Sequence, residues 1–142
     1  MGYVFIYYYG LERQLLSPNF DGVFDWDFLL PAFAGTKIQP TDIDAAIERN
    51  GRVLIFETKE PGKPIPRGQE LLLMTLLSIG RGKINVMVLF GKTELTVCGM
   101  EEWYFLNGGI RKRKATGCDC THVFNRVSAW WKYANQDNNG NS

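Results

Sequence analysis

The amino-acid sequence predicts an α/β fold in which helices flank a mixed central sheet. Asn50-Gly51 separates two strand-like segments, 42–48 and 52–58, and is the strongest short signal for a two-residue hairpin turn. A helical segment follows Arg67. The near-continuous apolar run at 84–90 then predicts a central strand that is buried on both faces. Strands that alternate with a helix in this way favour the α/β class.

The rest of the chain supplies further elements around this centre. The β-branched and aromatic run at 3–9 predicts a first strand, and apolar spacing at 121–134 predicts a last helix. Between them we expect a short helix at 11–16, a helical stretch at 25–33 limited by Pro31, and strands at 94–99, 101–106 and 110–115.

Length and composition favour one soluble domain. The chain has 142 residues, so we expect a single domain over 1–134 and a disordered tail over 135–142. No apolar run approaches the roughly 18 residues of a membrane span, and the start lacks the features of a signal peptide. Three cysteines, an odd count, predict reduced thiols and a cytoplasmic location. The net charge of +1 neither supports nor excludes a polyanionic partner.

The hairpin turn fixes which residues face each other. If Asn50 and Gly51 are the central turn residues, Asp44 lies opposite Glu57 and Asp42 lies opposite Lys59. Side chains alternate along a strand, so these four project from one face. The sequence therefore predicts adjacent carboxylates with a lysine beside them.

Opposed carboxylates repel each other, and a divalent cation would compensate that repulsion. Oxygen ligands suit a hard ion such as Mg²⁺ or Mn²⁺, which usually takes one or two carboxylates together with substrate phosphate. The alternative is a solvated strand face that carries an ordinary salt bridge between Asp42 and Lys59.

The stretch PTDIDAAIERNGRVLIFETK resembles the core motif of the PD-(D/E)XK nuclease superfamily, and PIPRGQELLLMTLL resembles that family's next helix. The resemblance covers residues 38–90 and implies a restriction-endonuclease-like fold. It also implies a metal-dependent DNA nuclease that leaves a 5′-phosphate and a 3′-hydroxyl. The sequence departs from a literal Pro-Asp pair, because Pro40 and Thr41 precede Asp42.

The resemblance assigns roles to individual residues. Asp44, Glu57 and the backbone carbonyl of Thr58 would hold the metal, with Asp42 as the alternative ligand. Lys59 would orient or help to deprotonate the attacking water, and Gln69 would orient the lysine, the water or a phosphate. The family often adds an acidic residue from an N-terminal helix, and Asp25, Asp27 and Glu12 are the candidates. Asp27 is the first choice among them, although solvated or capping roles are favoured over a catalytic one.

Two alternatives to a general DNA nuclease remain open. One is a Holliday-junction resolvase of the same chemistry, and the other is a non-catalytic module that binds nucleic acid or protein. A homodimer is expected, because cutting both strands of a duplex requires two active sites.

Other residues form weaker candidates. The expected DNA-phosphate contacts are Arg67, Arg111, Lys112, Arg113 and Lys114, with Lys63, Arg81 and Lys83 as a possible extension. Three aromatic residues could stack on bases, although their helical spacing favours core packing or a dimer contact: Trp130, Trp131 and Tyr133. Four residues have the chemistry of a zinc site, although ordinary buried thiols and a helix-start histidine are favoured: Cys98, Cys118, Cys120 and His122.

Overall fold

A computed structural model describes residues 4–8, 11–15 and 24–136. It divides into two compact units, Met1–Pro40 and Thr41–Ser142. In the first unit, β1 (Val4–Tyr8) pairs antiparallel with β2 (Leu11–Leu15), and a 3-10 helix covers Asp27–Phe33. The last six residues of the expected tail, 137–142, lie outside the described residues.

The first unit confirms one sequence prediction and overturns another. The expected strand at 3–9 is present as β1 over its described part. The helix expected at 11–16 is wrong, because Leu11–Leu15 is a strand whose backbone pairs with β1. Pairing with a neighbouring strand outweighs weak local helix propensity.

The second unit is built on a five-stranded mixed sheet with the spatial order β3-β4-β5-β6-β7. The pair β4–β5 is parallel, and the other neighbours are antiparallel. The strands are β3 (Ala45–Arg49), β4 (Arg52–Lys59), β5 (Ile84–Phe90), β6 (Gly99–Leu106) and β7 (Gly109–Thr116). Two helices, α1 (Arg67–Gly80) and α2 (Cys120–Ala134), pack against this sheet, so the predicted α/β class is confirmed.

The turn between β3 and β4 has the predicted geometry. Asn50 and Gly51 both have positive φ, 52° and 76°, and Arg49 pairs with Arg52. The ladder ends at Ala45, however, so the strand expected from residue 42 begins three residues late. The expected pairs of Asp44 with Glu57 and of Asp42 with Lys59 are therefore absent from the ladder.

Neighbouring β4 residues enter two separate cores because strand side chains alternate between the two faces of a sheet. Ile55 packs on the α1 face with Leu73, Leu77, Val86, Val88 and Trp103. Leu54 packs on the α2 face with Met87, Met100, Cys118, Trp130 and Ala134. The sheet thus carries a helix on each face.

The connection after β5 differs from the prediction. Residues 94–98 do not form a strand; Glu94–Thr96 is a short 3-10 helix, and β6 begins at Gly99. The Thr96 hydroxyl accepts hydrogen bonds from the backbone amides of Lys92 and Thr93, each at 2.9 Å. This local bonding takes backbone donors that a strand would offer to a neighbour. The other strands of this unit and its last helix agree with the prediction to within two residues.

In the part of the chain that the structure describes, no helix has the length and apolar character needed to cross a membrane.

Candidate active site

Glu57 is a fully buried carboxylate on the α1 face of β4, with no exposed surface. Gln69, in the first turn of α1, is also buried and donates a hydrogen bond of 2.7 Å from Nε2 to Glu57 Oε2. Among the described residues, Glu57 Oε1 and Gln69 Oε1 have no hydrogen-bond partner. A buried acceptor without a partner is costly, so a further donor or cation would stabilise this cluster.

Asp44 lies just before β3 and bonds to β4 through its side chain. Its Oδ2 accepts from the Thr58 backbone amide at 2.7 Å and from the Thr58 hydroxyl at 2.8 Å. The carboxylate thus replaces the strand partner that Thr58 lacks beyond Ala45. This arrangement explains why the ladder stops early, and it leaves Asp44 Oδ1 for another ligand.

The environment raises the pKa of Glu57 above its ordinary value. Burial is the largest cause, and the nearby negative charge of Asp44 adds to it. The Lys59 ammonium, 3.9 Å from Glu57 Oε2, acts in the opposite direction without cancelling them. The three charged groups are therefore coupled, although Asp44 and Glu57 do not form a ladder pair.

The backbone of Thr58 points toward the same cluster. Val53 donates its amide to the β5 side, and the Lys59 carbonyl accepts from that side too. Because backbone groups alternate along a strand, the Thr58 amide and carbonyl both face the β3 side, beyond the end of β3. The Thr58 carbonyl is thus directed to the side on which Asp44 lies.

Oxygen atoms of carboxylates and carbonyls are the ligands that a hard divalent ion prefers. Glu57 Oε1 lacks a partner, Asp44 keeps one oxygen, and Thr58 offers a carbonyl. No group of three His, Cys, Asp or Glu side chains that could hold a metal exists in the described residues. Asp42, the alternative ligand, therefore does not join Asp44 and Glu57 in such a group. Its backbone carbonyl accepts from Gln69 Nε2 at 3.4 Å.

The structure agrees with the favoured alternative to a zinc site, because no group of three His, Cys, Asp or Glu side chains that could hold a metal exists among the described residues. Cys118 is buried, while Cys98 and Cys120 are exposed. Burial is the main cause that raises the pKa of the Cys118 thiol, and the thiol contacts the Ala115 carbonyl at 3.7 Å. Cys118 is therefore a buried structural thiol.

The basic run at 111–114 does not form one patch, because its strand places alternate side chains on opposite faces. Lys112 contacts Glu70 at 3.0 Å on the α1 face, whereas Arg113 pairs with Glu102 on the α2 face. Lys114 pairs with Glu101 at 3.5 Å. Arg67, another expected DNA contact, pairs with Glu70 at 3.1 Å. Four of the five expected contacts thus already have carboxylate partners.

Glu102 is the buried charged residue that the sequence analysis missed. Its carboxylate pairs with Arg113 of β7 and with Arg126 of α2. Burial alone would raise the pKa of Glu102, but these two guanidinium groups together lower it. The network borders a cavity of about 490 Å³ between the sheet and α2.

The aromatic residues of α2 divide into two groups. Trp130 is buried, and its Nε1 donates to Asn85 Oδ1 at 3.3 Å. Trp131 and Tyr133 are partly exposed. The guanidinium of Arg49 lies over one face of Trp131, and that of Arg52 lies over one face of Tyr133. Core packing is therefore correct for Trp130, while the other two rings remain accessible.

The acidic residues expected from the N-terminal part belong to the first unit. Asp25 Oδ1 accepts from the Asp27 backbone amide at 2.9 Å, which is a local turn contact. The side chain of Glu12 lies outside the described residues. The role expected for Asp27 stays a prediction.

The comparisons with known proteins add no relative. No family model matches the chain, and no curated protein or solved structure matches it significantly. The α/β class and the geometry of the candidate site are therefore known from this chain alone.

Proposed function

We propose that this protein is a metal-dependent nuclease whose site is formed by Asp44, Glu57, Lys59 and Gln69. The observation that supports it best is the buried Glu57 carboxylate, which has an unpartnered oxygen and lies beside a second carboxylate. A stable fold gains nothing from that arrangement, since both burial and like charge disfavour the ionised form. A divalent cation would compensate both costs.

In this proposal, Glu57, Asp44 and the Thr58 carbonyl hold Mg²⁺ or Mn²⁺. The ion would supply a lowered pKa for water and charge withdrawal from a phosphoryl oxygen. Lys59 is half-buried, and its ammonium lies 3.9 Å from Glu57 Oε2, where it would orient the attacking water and offset phosphate charge. The reaction would leave a 5′-phosphate and a 3′-hydroxyl.

Gln69 contacts different groups from the lysine, water or phosphate that the resemblance implies. Its amide nitrogen donates to Glu57 and to the Asp42 carbonyl, at 2.7 and 3.4 Å. It would therefore fix the orientation of the Glu57 carboxylate. This makes Gln69 a positioning residue in the proposal.

The experiment combines calorimetric titration with Mg²⁺ and Mn²⁺ and cleavage of linear, nicked, single-stranded and four-way DNA. Glu57→Gln and Lys59→Ala should each reduce cleavage about a hundredfold or more, because phosphoryl transfer depends on positioned charge. Glu57→Gln should also weaken metal binding. The matched controls are the exposed Glu60→Gln and Lys92→Ala, which should retain cleavage. Wild-type protein that cuts none of these substrates, or variants that all cut equally well, would refute the proposal.

A further inference from the structure

Six cations gather at one end of the second unit, the end at which the parallel strands begin. They are Arg49, Arg52, Arg81, Lys83, Arg111 and Lys132, and we call them the basic end. Within the described residues none of them has a carboxylate within 4.0 Å, whereas most other cations of this unit do. The near-neutral total charge thus conceals an uneven distribution.

Backbone contacts place these residues at the same end. The Val53 amide donates to the Lys83 carbonyl at 2.9 Å, which joins the start of β4 to the segment after α1. Asn50 Nδ2 donates to the Ala134 carbonyl at 3.0 Å, which joins the β3–β4 turn to the end of α2. Arg111 faces Tyr104 near the β6–β7 turn, at the same end.

Local negative charge is too small to neutralise the basic end. Glu48 is the nearby described carboxylate, and its Oε1 accepts from the Gly51 amide at 2.8 Å. The C-termini of α1 and α2 each contribute roughly half a negative charge. Among the described residues, six cations against about two negative charges leave a positive excess at this end.

Exposed aromatic rings accompany this charge. The Arg49 guanidinium lies 5.2 Å from the ring centre of Trp131, and that of Arg52 lies 4.6 Å from Tyr133. Trp131 is 46% exposed and Tyr133 is 43% exposed. Rings of this kind, with cations around them, can stack on bases while the cations contact the phosphates.

We propose that the basic end is a binding surface for single-stranded nucleic acid. The accessible rings favour a strand with unpaired bases, because bases in an intact duplex are already stacked on each other. The choice of nucleic acid as partner rests on the proposed nuclease function. The surface is distinct from the candidate active site, since Lys59 lies seven residue steps after Arg52 along β4, a distance of about 23 Å.

The test measures binding of a fluorescent 20-nucleotide single strand by anisotropy, in EDTA so that no metal-dependent cleavage occurs. Affinity should fall with salt, and Lys83→Ala with Lys132→Ala should reduce the logarithmic salt slope by about 1.4, since each phosphate contact contributes about 0.7. Lys92→Ala, at an exposed cation elsewhere, should leave the slope unchanged. Trp131→Ala should weaken binding roughly five- to a hundredfold, and Trp131→Phe should restore most of it.

Any one of four outcomes overturns the proposal. These outcomes are no binding of the single strand, an unchanged salt slope in the double variant, tighter binding of duplex DNA, or tighter binding to phosphatidylserine vesicles. The same preparations are then assayed for cleavage in Mn²⁺. Wild-type protein that cleaves DNA but does not bind the single strand refutes this surface alone, whereas wild-type protein that binds the strand without any cleavage refutes the proposed nuclease alone.

Discussion

The side-chain amide of Gln69 donates a 2.7 Å hydrogen bond to Glu57 across the interface between α1 and β4. One residue belongs to the crossover helix and the other to the central strand, so this bond joins the two elements that build the candidate site. Both side chains are buried, and each retains an oxygen without a partner among the described residues. Variants of these two residues therefore test the stability of the protein and its metal binding together.

Removing the Gln69 amide should destabilise the protein. Gln69→Leu would leave Glu57 Oε2 without its closest donor, at a cost of about 1–3 kcal/mol. In the double variant with Glu57→Leu the buried carboxylate of this pair is also gone, so the two effects should couple by about 0.5–3 kcal/mol. Urea denaturation of the four proteins of this cycle measures the coupling. Strictly additive effects would contradict the interaction.

Glu57→Gln should stabilise the metal-free protein at neutral pH. Because the pKa of Glu57 is raised in the folded state, the folded protein binds that proton more tightly than the unfolded chain. Stability is therefore lost as pH rises from the unfolded value near 4.5 through the folded pKa. Melting temperatures across this range should decline less in Glu57→Gln, whereas the exposed Glu60→Gln should follow wild type. A variant less stable than wild type at pH 7 would contradict the prediction.

Asp44→Asn should show whether Asp44 or Asp42 binds the metal. It keeps an acceptor for Thr58 but removes the charge that raises the pKa of Glu57. Affinity for Mn²⁺ should fall at least about tenfold, as is common when a metal site loses a supporting group. Asp42→Asn is the matched control and should bind Mn²⁺ like wild type. The reverse result in calorimetry would assign the ligand to Asp42.

Glu102 should contribute stability with the opposite pH dependence. Its pKa is lowered, so its contribution is present above the unfolded value near 4.5 and is lost as pH falls through the folded pKa. Glu102→Gln should cost about 1–3 kcal/mol at pH 7, because Arg113 and Arg126 lose their shared partner. Chemical denaturation at pH 7 and pH 3 should show that this cost shrinks in acid. An equal cost at both values would argue against an ionised Glu102.

The sequence was sufficient where local chemistry decides the structure. Asn50-Gly51 determines the turn and hence the register, so the pairing of Arg49 with Arg52 could be predicted. The start of β3 could not, because Asp44 satisfies Thr58 through a side chain, and such contacts leave no period in the sequence. The closeness of Asp44, Glu57 and Lys59 could thus be predicted, although the residue at which the β3–β4 ladder ends could not.

Two ion pairs of the basic run at 111–114 could have been predicted from the sequence. A tight turn at Asn107-Gly108 joins β6 to β7 and fixes their register. That register places Glu101 opposite Lys114 and Glu102 opposite Arg113. The contact between Lys112 and Glu70 depends on where α1 packs, and no local pattern encodes it. Three members of the basic end, Arg81, Lys83 and Arg111, were among the expected DNA contacts, but no local pattern groups them with Arg49, Arg52 and Lys132, which come from distant segments.

The five strands of the second unit lie in space in the same order as in the chain. Such proximity favours rapid folding, because most pairings close short loops. The exception is the parallel pair β4–β5, whose strands are separated by the whole α1 crossover from Lys59 to Ile84. Glu57 and Gln69 meet only when that crossover docks, so a folding chain should acquire its candidate site in the same step that completes its sheet.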